Sequence, residues 1–195
     1  GLAAALAAAA AGARVILCDE QAEMGGSLLA EPAATIDGSP AAAWLGEALR
    51  SLGASDRVTL LPRTTAFGWY PHNLVGLAER VTDHLAAPDP ALPRERLWQV
   101  RATEVVIAAG AIERPMVFPE NDRPGIMLAD AARTYLNRYG AKAARRAVVF
   151  TAHDAAYAAA LDLARAGVEI AAAADRRPVA DGPLPAAVRA AGLQV

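Results

Sequence analysis

One pattern, written twice, constrains this chain most. Residues 1–20, "GLAAALAAAAAGARVILCDE", run as a small-residue helix, a glycine, an unbroken apolar strand and an acid pair, and helix, glycine, strand and acid recur about 155 positions later. Such alternation predicts parallel strands joined by helices, because a strand covered on both faces reads as a continuous apolar run. The spacing predicts a helix over Gly1–Gly12 with Gly12 as its C-terminal cap, a strand over Val15–Cys18, a helix near Ala41–Leu52 and two β-rich runs in "RVTLLPRTTAFGWY". Strands near Trp98–Arg101 and over Glu104–Ala108 predict a β-hairpin, followed by a Pro-rich linker over Pro115–Pro124. A helix over Ala129–Tyr139 should stop at Gly140. A strand over Ala147–Thr151, a helix over Ala155–Ala166 capped by Gly167, and a strand from Val168 ending near Asp175 then close the repeat.

Composition excludes several function classes. With 54% hydrophobic residues and mean hydropathy +0.21, the 195 residues suit a packed globular chain. The longest apolar run, Leu2–Ala11, falls well short of the roughly 20 residues of a membrane span. Arg14 follows that run, the reverse of a secretory signal's order. No membrane association and a cytoplasmic location are therefore expected. Nineteen basic and 21 acidic residues, interspersed to a net charge of −2, give no single-sign field to attract nucleic acid. Cys18 is the only cysteine, which rules out an intrachain disulfide, a CxxC pair and a multi-cysteine metal site, and it reads as a buried structural thiol. His72, and His84 in an expected helix, have no second ligand at metal spacing, so no metal site is assigned. Asp154 is expected to cap the helix after it rather than to serve His153 in acid–base chemistry. With no nucleophile beside a base, no catalytic residue is assigned.

The informative residues are those that suit a nucleotide. In a dinucleotide-binding fold the last fingerprint glycine opens a helix whose N-terminus faces the pyrophosphate, and an acid about 20 residues on takes ribose hydroxyls. Gly1 with Asp19 and Glu20 meets that spacing, which puts the first strand and first two fingerprint glycines ahead of Gly1. "DEQAEMGGSLL" then places Gly25, Gly26 and Ser27 where two-dinucleotide-binding-domain flavoproteins carry D/E-x5-G-G-[TSQ], and "EVVIAAGAIERP" resembles their strand-to-turn ATG motif, with Ala109 where Thr is common and Gly110 at the turn. The expected fold class is α/β: an FAD/NAD(P)-binding Rossmann-like domain, first strand missing, with a nested second Rossmann-like βαβ unit. Residues 1–124, including the hairpin excursion, form the first dinucleotide-binding domain in this reading, and residues 125–195 begin the second.

The stretches "AAGAIERPMVFPENDRPGIMLADAARTYLNRYG" and "RRAVVFTAHDAAYAAALDLARAGVEIAAAADRRP" resemble the alpha subunits of heterotetrameric sarcosine oxidases and their amine-dehydrogenase relatives. The likeness covers nearly the whole chain and implies a fragment of a much longer polypeptide. It implies a noncovalent NAD in the first domain, FAD in a beta subunit where sarcosine is oxidised, FMN at the alpha–beta interface, gamma and delta partners, and tetrahydrofolate bound through a carboxyl-terminal region. By the same resemblance Asp19 and Glu20 contact the adenosine ribose, Gly25, Gly26 and Ser27 line the adenosine side, and Ala66 and Gly110 approach the cofactor with backbone. Gln21 stands where a basic residue is expected. In the second unit Ala152, His153 and Asp154 replace a glycine-rich loop, so that half reads as scaffold. Two rivals are a stand-alone FAD/NAD(P)H-dependent oxidoreductase and a non-catalytic assembly subunit of an amine, proline or opine dehydrogenase.

Overall fold

The computed structural model describes all 195 residues, which divide into two compact units. Unit 1 holds residues 1–28 and 33–110, and unit 2 holds residues 29–32 and 111–195.

In unit 1, helix α1 (Leu2–Ala10) leads into β1 (Val15–Cys18), a 3₁₀ turn (Gly26–Ala30) whose last two residues belong to unit 2, and the short antiparallel pair β2 (Thr35–Ile36) and β3 (Ser39–Pro40). Helix α2 (Ala41–Gly53) then returns the chain to β4 (Val58–Leu61), which lies parallel to β1 in the register Val15↔Val58 to Cys18↔Leu61. Parallel strands need such a crossover, and an amphipathic α2 supplies it by burying Ala41, Leu45, Ala48 and Leu52. Gly12 ends the first helix with φ +80, a conformation that costs a glycine little. Three antiparallel strands follow: β5 (Thr64–Tyr70), β6 (Leu74–Arg80) and β7 (Glu95–Arg101), in the order β5-β6-β7.

This meander corrects the expected hairpin. β7 is paired along its whole length with β6, from Leu74↔Arg101 to Arg80↔Glu95, and Glu104–Ala108 forms no strand. Apolar, β-branched residues alone do not make a strand; a ladder partner is required. Val106 and Ile107 are 69% and 68% exposed. His84 likewise lies in a turn rather than a helix.

In unit 2, α3 (Ala129–Tyr139) stops at Gly140, whose φ of +65 lets its N–H and that of Ala141 reach back to Leu136 O and Tyr135 O. β8 (Arg146–Thr151), α4 (Ala155–Arg165) and β9 (Glu169–Asp175) form a βαβ unit with the two strands parallel, and α5 (Pro183–Ala190) follows. Helix α4 is the centre of this core: Tyr157, Leu161 and Leu163 pack with Val149, Ile170 and Val188. Gly167 has φ +81, nearly that of Gly12, so the repeat read in the sequence extends to backbone conformation.

Candidate functional site

All ten residues singled out for a nucleotide fall in unit 1. Asp19 follows directly on β1, at the carboxyl end of the parallel pair, where open α/β sheets place their ligands. Its N–H donates to Leu61 O at 3.1 Å and its carbonyl accepts from Thr64 N at 2.8 Å, so the backbone there is held from both sides. The half-buried Asp19 carboxylate accepts the Gln21 N–H through Oδ1 at 2.9 Å, which folds residues 19–21 into a tight Asx-type turn. Gln21 O in turn accepts Arg63 N at 2.8 Å. Glu20 is exposed, and its carbonyl accepts Arg80 Nη2 at 3.2 Å. A guanidinium 60 positions along the chain therefore sits beside the acid pair, a residue that no local sequence signal marks.

The Gly-Gly-Ser segment lies a few residues beyond that turn. Gly26, at φ +57, has nothing within 4 Å of where a Cβ would stand, so conformation and not crowding calls for glycine there; Gly110, at φ +73, is the same case. Gly1 differs. A Cβ on Gly1 would meet Ala108 Cβ at 3.7 Å and Leu17 Cδ1 at 3.9 Å, ordinary contacts. The start of α1, the middle of β1 and the "AAG" segment carrying Ala109 and Gly110 are thus brought together, as the motif order implies. Ala66 lies on β5, opposite Leu77, beside an irregularity between Ala66 and Gly68.

Burial raises the thiol pKa of Cys18, which is only half-buried rather than fully so, with the neighbouring Asp19 charge pushing the same way. No three His, Cys, Asp or Glu side chains are grouped to hold a metal ion, and no helix is long and apolar enough to cross a membrane.

In unit 2 the acid that ends β9 is engaged otherwise. Arg177 Nη2 donates to Asp175 Oδ2 at 2.6 Å and to Asp154 Oδ1 at 2.7 Å, while the Tyr157 hydroxyl donates to Asp175 Oδ2 at 2.8 Å. Arg177 holds the Asp175 carboxyl far below the usual carboxylate range against the cost of burial, with Tyr157 assisting. Asp154 stands at the N-cap of α4, yet its side chain makes no cap hydrogen bond. The expected cap is corrected: a guanidinium within reach outcompetes helix N–H groups for the carboxylate.

Two parallel strand pairs, each crossed by a helix and each with an acid at the carboxyl end of one strand, Asp19 after β1 and Asp175 closing β9, define an α/β fold of the dinucleotide-binding kind. The crystal structure of L-proline dehydrogenase from P. horikoshii shares that fold, with TM-score 0.62 and 21% identity over 86% of this chain and 32% of that one. No protein-family model matches the chain. In sequence it is similar to a stretch of the alpha subunit of sarcosine oxidase: 51% identical over 180 residues to that of Rhizobium meliloti (strain 1021), covering 92% of this chain and 18% of the relative. It is also 51% identical over 168 residues to that of Corynebacterium sp. (strain P-1), covering 86% and 17%. An opine oxidase subunit of Agrobacterium tumefaciens (strain Ach5) is 31% identical over 176 residues, covering 86% of this chain and 33% of that protein. The chain spans less than a fifth of the length of the sarcosine oxidase subunits it matches.

Proposed function

We propose that this chain is the nucleotide-holding part of an alpha subunit in a multi-subunit, amine-oxidising flavoprotein of the sarcosine oxidase type, with NAD as its own ligand. Identity of 51% to sarcosine oxidase alpha subunits supports the class. The observation that carries the ligand is Asp19: a carboxylate at the carboxyl end of a parallel strand, with its backbone fixed on both sides and a Gly-Gly-Ser segment six residues on. In this reading Asp19 and Glu20 accept the adenosine ribose hydroxyls, Gly25, Gly26 and Ser27 line the adenosine side, and Ala66, Ala109 and Gly110 approach with backbone. Gly1 marks the helix start. Arg80, rather than Gln21, supplies the positive charge beside the acids.

The oxidation itself belongs to flavin, with FAD carried by the beta subunit while FMN lies at the interface, and this group supplies the hydride chemistry when bound. Sarcosine, water and dioxygen would yield glycine, hydrogen peroxide and a formaldehyde-level one-carbon unit for tetrahydrofolate, with gamma and delta subunits completing the complex in the cytoplasm. The domain division at residue 124 is part of the same proposal. Similarity to the opine oxidase subunit favours a second reading, in which the amine substrate is an opine.

The test is to co-produce the complete gene product with its partner subunits, release bound nucleotides and identify them by mass spectrometry, then screen amines for peroxide formation. NAD in the wild type, reduced about tenfold or more in Asp19→Asn, is expected, since a lost hydrogen bond to a charged group is worth about that. A complex that carries no NAD, or the same amount in Asp19→Asn, would refute the ligand assignment.

A further inference from the structure

Four arginines are at least partly buried: Arg63, Arg133, Arg138 and Arg177. Carboxylates hold Arg133 and Arg177, and Arg138 lies over the Tyr139 ring, whereas no hydrogen bond, ion pair or ring contact engages the Arg63 guanidinium. The Arg63 backbone, by contrast, is tied on both sides. Its N–H donates to Gln21 O at 2.8 Å and its carbonyl accepts from Arg80 N at 3.0 Å, next to the Thr64 N–H that donates to Asp19 O. These bonds hold Arg63 at φ +53, in the left-handed region, where glycine would sit with less strain. Asp37, His72 and Asn73 lie there too, but they are types that tolerate it, and Glu120 has an ion-pair partner in Arg123. A strained backbone that carries a long, unpaired cation beside a candidate site indicates a side chain that serves something other than the fold.

The order of elements in unit 1 decides which part of a nucleotide Arg63 would meet. Gly1, at the phosphate end, stands by Leu17 and Ala108, with nothing from β4 within 4 Å of its Cβ position. Asp19 follows β1, and Arg63 comes just after β4, the strand paired with β1. Phosphates at Gly1 and a ribose on Asp19 therefore direct the base across β1 toward the end of β4, the side on which Ala66 lies early in β5. Arg80 is already committed there, since its Nη2 donates to Glu20 O. We propose that Arg63 binds the adenine of the nucleotide, laying its planar guanidinium on the face of the base. The assignment rests on the nucleotide reading of Asp19. A guanidinium suits that contact better than an ammonium because it is flat, weakly hydrated and able to stack.

The test uses the complete alpha chain in complex with its partners, stripped of nucleotide and titrated with NAD by calorimetry. Arg63→Gly keeps both backbone hydrogen bonds and relieves the left-handed residue. It should therefore melt no lower than wild type, yet bind NAD about tenfold more weakly. Arg63→Lys keeps the charge without the plane and should recover little of that loss. Full recovery in Arg63→Lys would give the side chain to an anionic group and overturn the stacking contact. A clear fall in melting temperature in Arg63→Gly would give the side chain to the fold and overturn its binding role. Unchanged NAD affinity in Arg63→Gly, while Asp19→Asn still weakens binding, would overturn the role of Arg63 alone. NAD affinity insensitive to both Asp19→Asn and Arg63→Gly, or no NAD binding at all, would overturn the nucleotide reading on which the role rests.

Discussion

Replacing Tyr157 with Phe deletes one oxygen from the largest fully buried side chain of unit 2 and leaves its ring in place. That ring is fully buried, and its hydroxyl donates to Asp175, whose side chain is only 4% exposed. A hydrogen bond to a charged acceptor contributes about 1.5–3 kcal/mol. Because Arg177 still holds the carboxylate in the variant, the lower half of that range applies, about 2 kcal/mol, or roughly 4–8 °C in the melting temperature of a chain this size. The pH dependence carries a sign. Asp175 has a native pKa below its unfolded one, so its stabilising contribution is complete above the unfolded value of about 3.9 and is lost as pH falls from there toward the lowered native value. The unfolded chain is the same for both proteins, and the native carboxyl keeps its charge well below about pH 4. The gap between wild type and Tyr157→Phe should therefore hold constant from pH 8 down to about pH 4, while the stability of each protein falls below that. Thermal melts of both proteins from pH 3 to pH 8, with hydrogen exchange in α4 and β9 to localise the effect, check this. A gap that widens on acidification, or none at pH 7, would refute the assignment of stability to the charged acceptor.

Other outcomes follow from the same geometry. Leu52→Ala, at a position 1% exposed, should lower stability by about 2–5 kcal/mol, seen as a lower urea midpoint at unchanged slope. Gly140→Ala should cost about 1–2 kcal/mol because its φ is +65, whereas Gly1→Ala, where a Cβ meets only ordinary contacts, should stay within about 0.5 kcal/mol; equal shifts in thermal melts would contradict the distinction. Cys18, with its pKa raised mainly by burial, should react slowly with a thiol reagent at pH 7.5 and promptly in urea, and a fast native reaction would contradict that environment.

The elements most legible in the sequence are those whose signals are local. Val15–Cys18 is an unbroken apolar run, and Ala129–Tyr139 ends at a glycine in the left-handed region, so both match the structure at both ends. The spacing of Asp19 and Gly25–Ser27 was legible because one strand and one turn set it, while their holding a nucleotide is a proposal. What depends on remote partners was not legible. Glu104–Ala108 has strand composition without a ladder, and β6 (Leu74–Arg80), interrupted by Gly76 and charged at its end, carries little strand signal yet pairs on both edges. Asp154 precedes a helix as a cap should, but Arg177, 23 positions on, takes its carboxylate. Arg80 beside Glu20 and Asn137 against Ala30 are joined across 60 and 107 positions, distances over which no spacing rule operates.

The chain visits unit 2 for only four residues, Leu29–Pro32, before returning to unit 1 for nearly eighty. Neither body can therefore be cut free by opening one peptide bond. A protease nicking after Gly110 would leave those four residues on the amino-terminal piece, so that Ala30, which accepts from Asn137, would no longer share a continuous backbone with the helix that holds it.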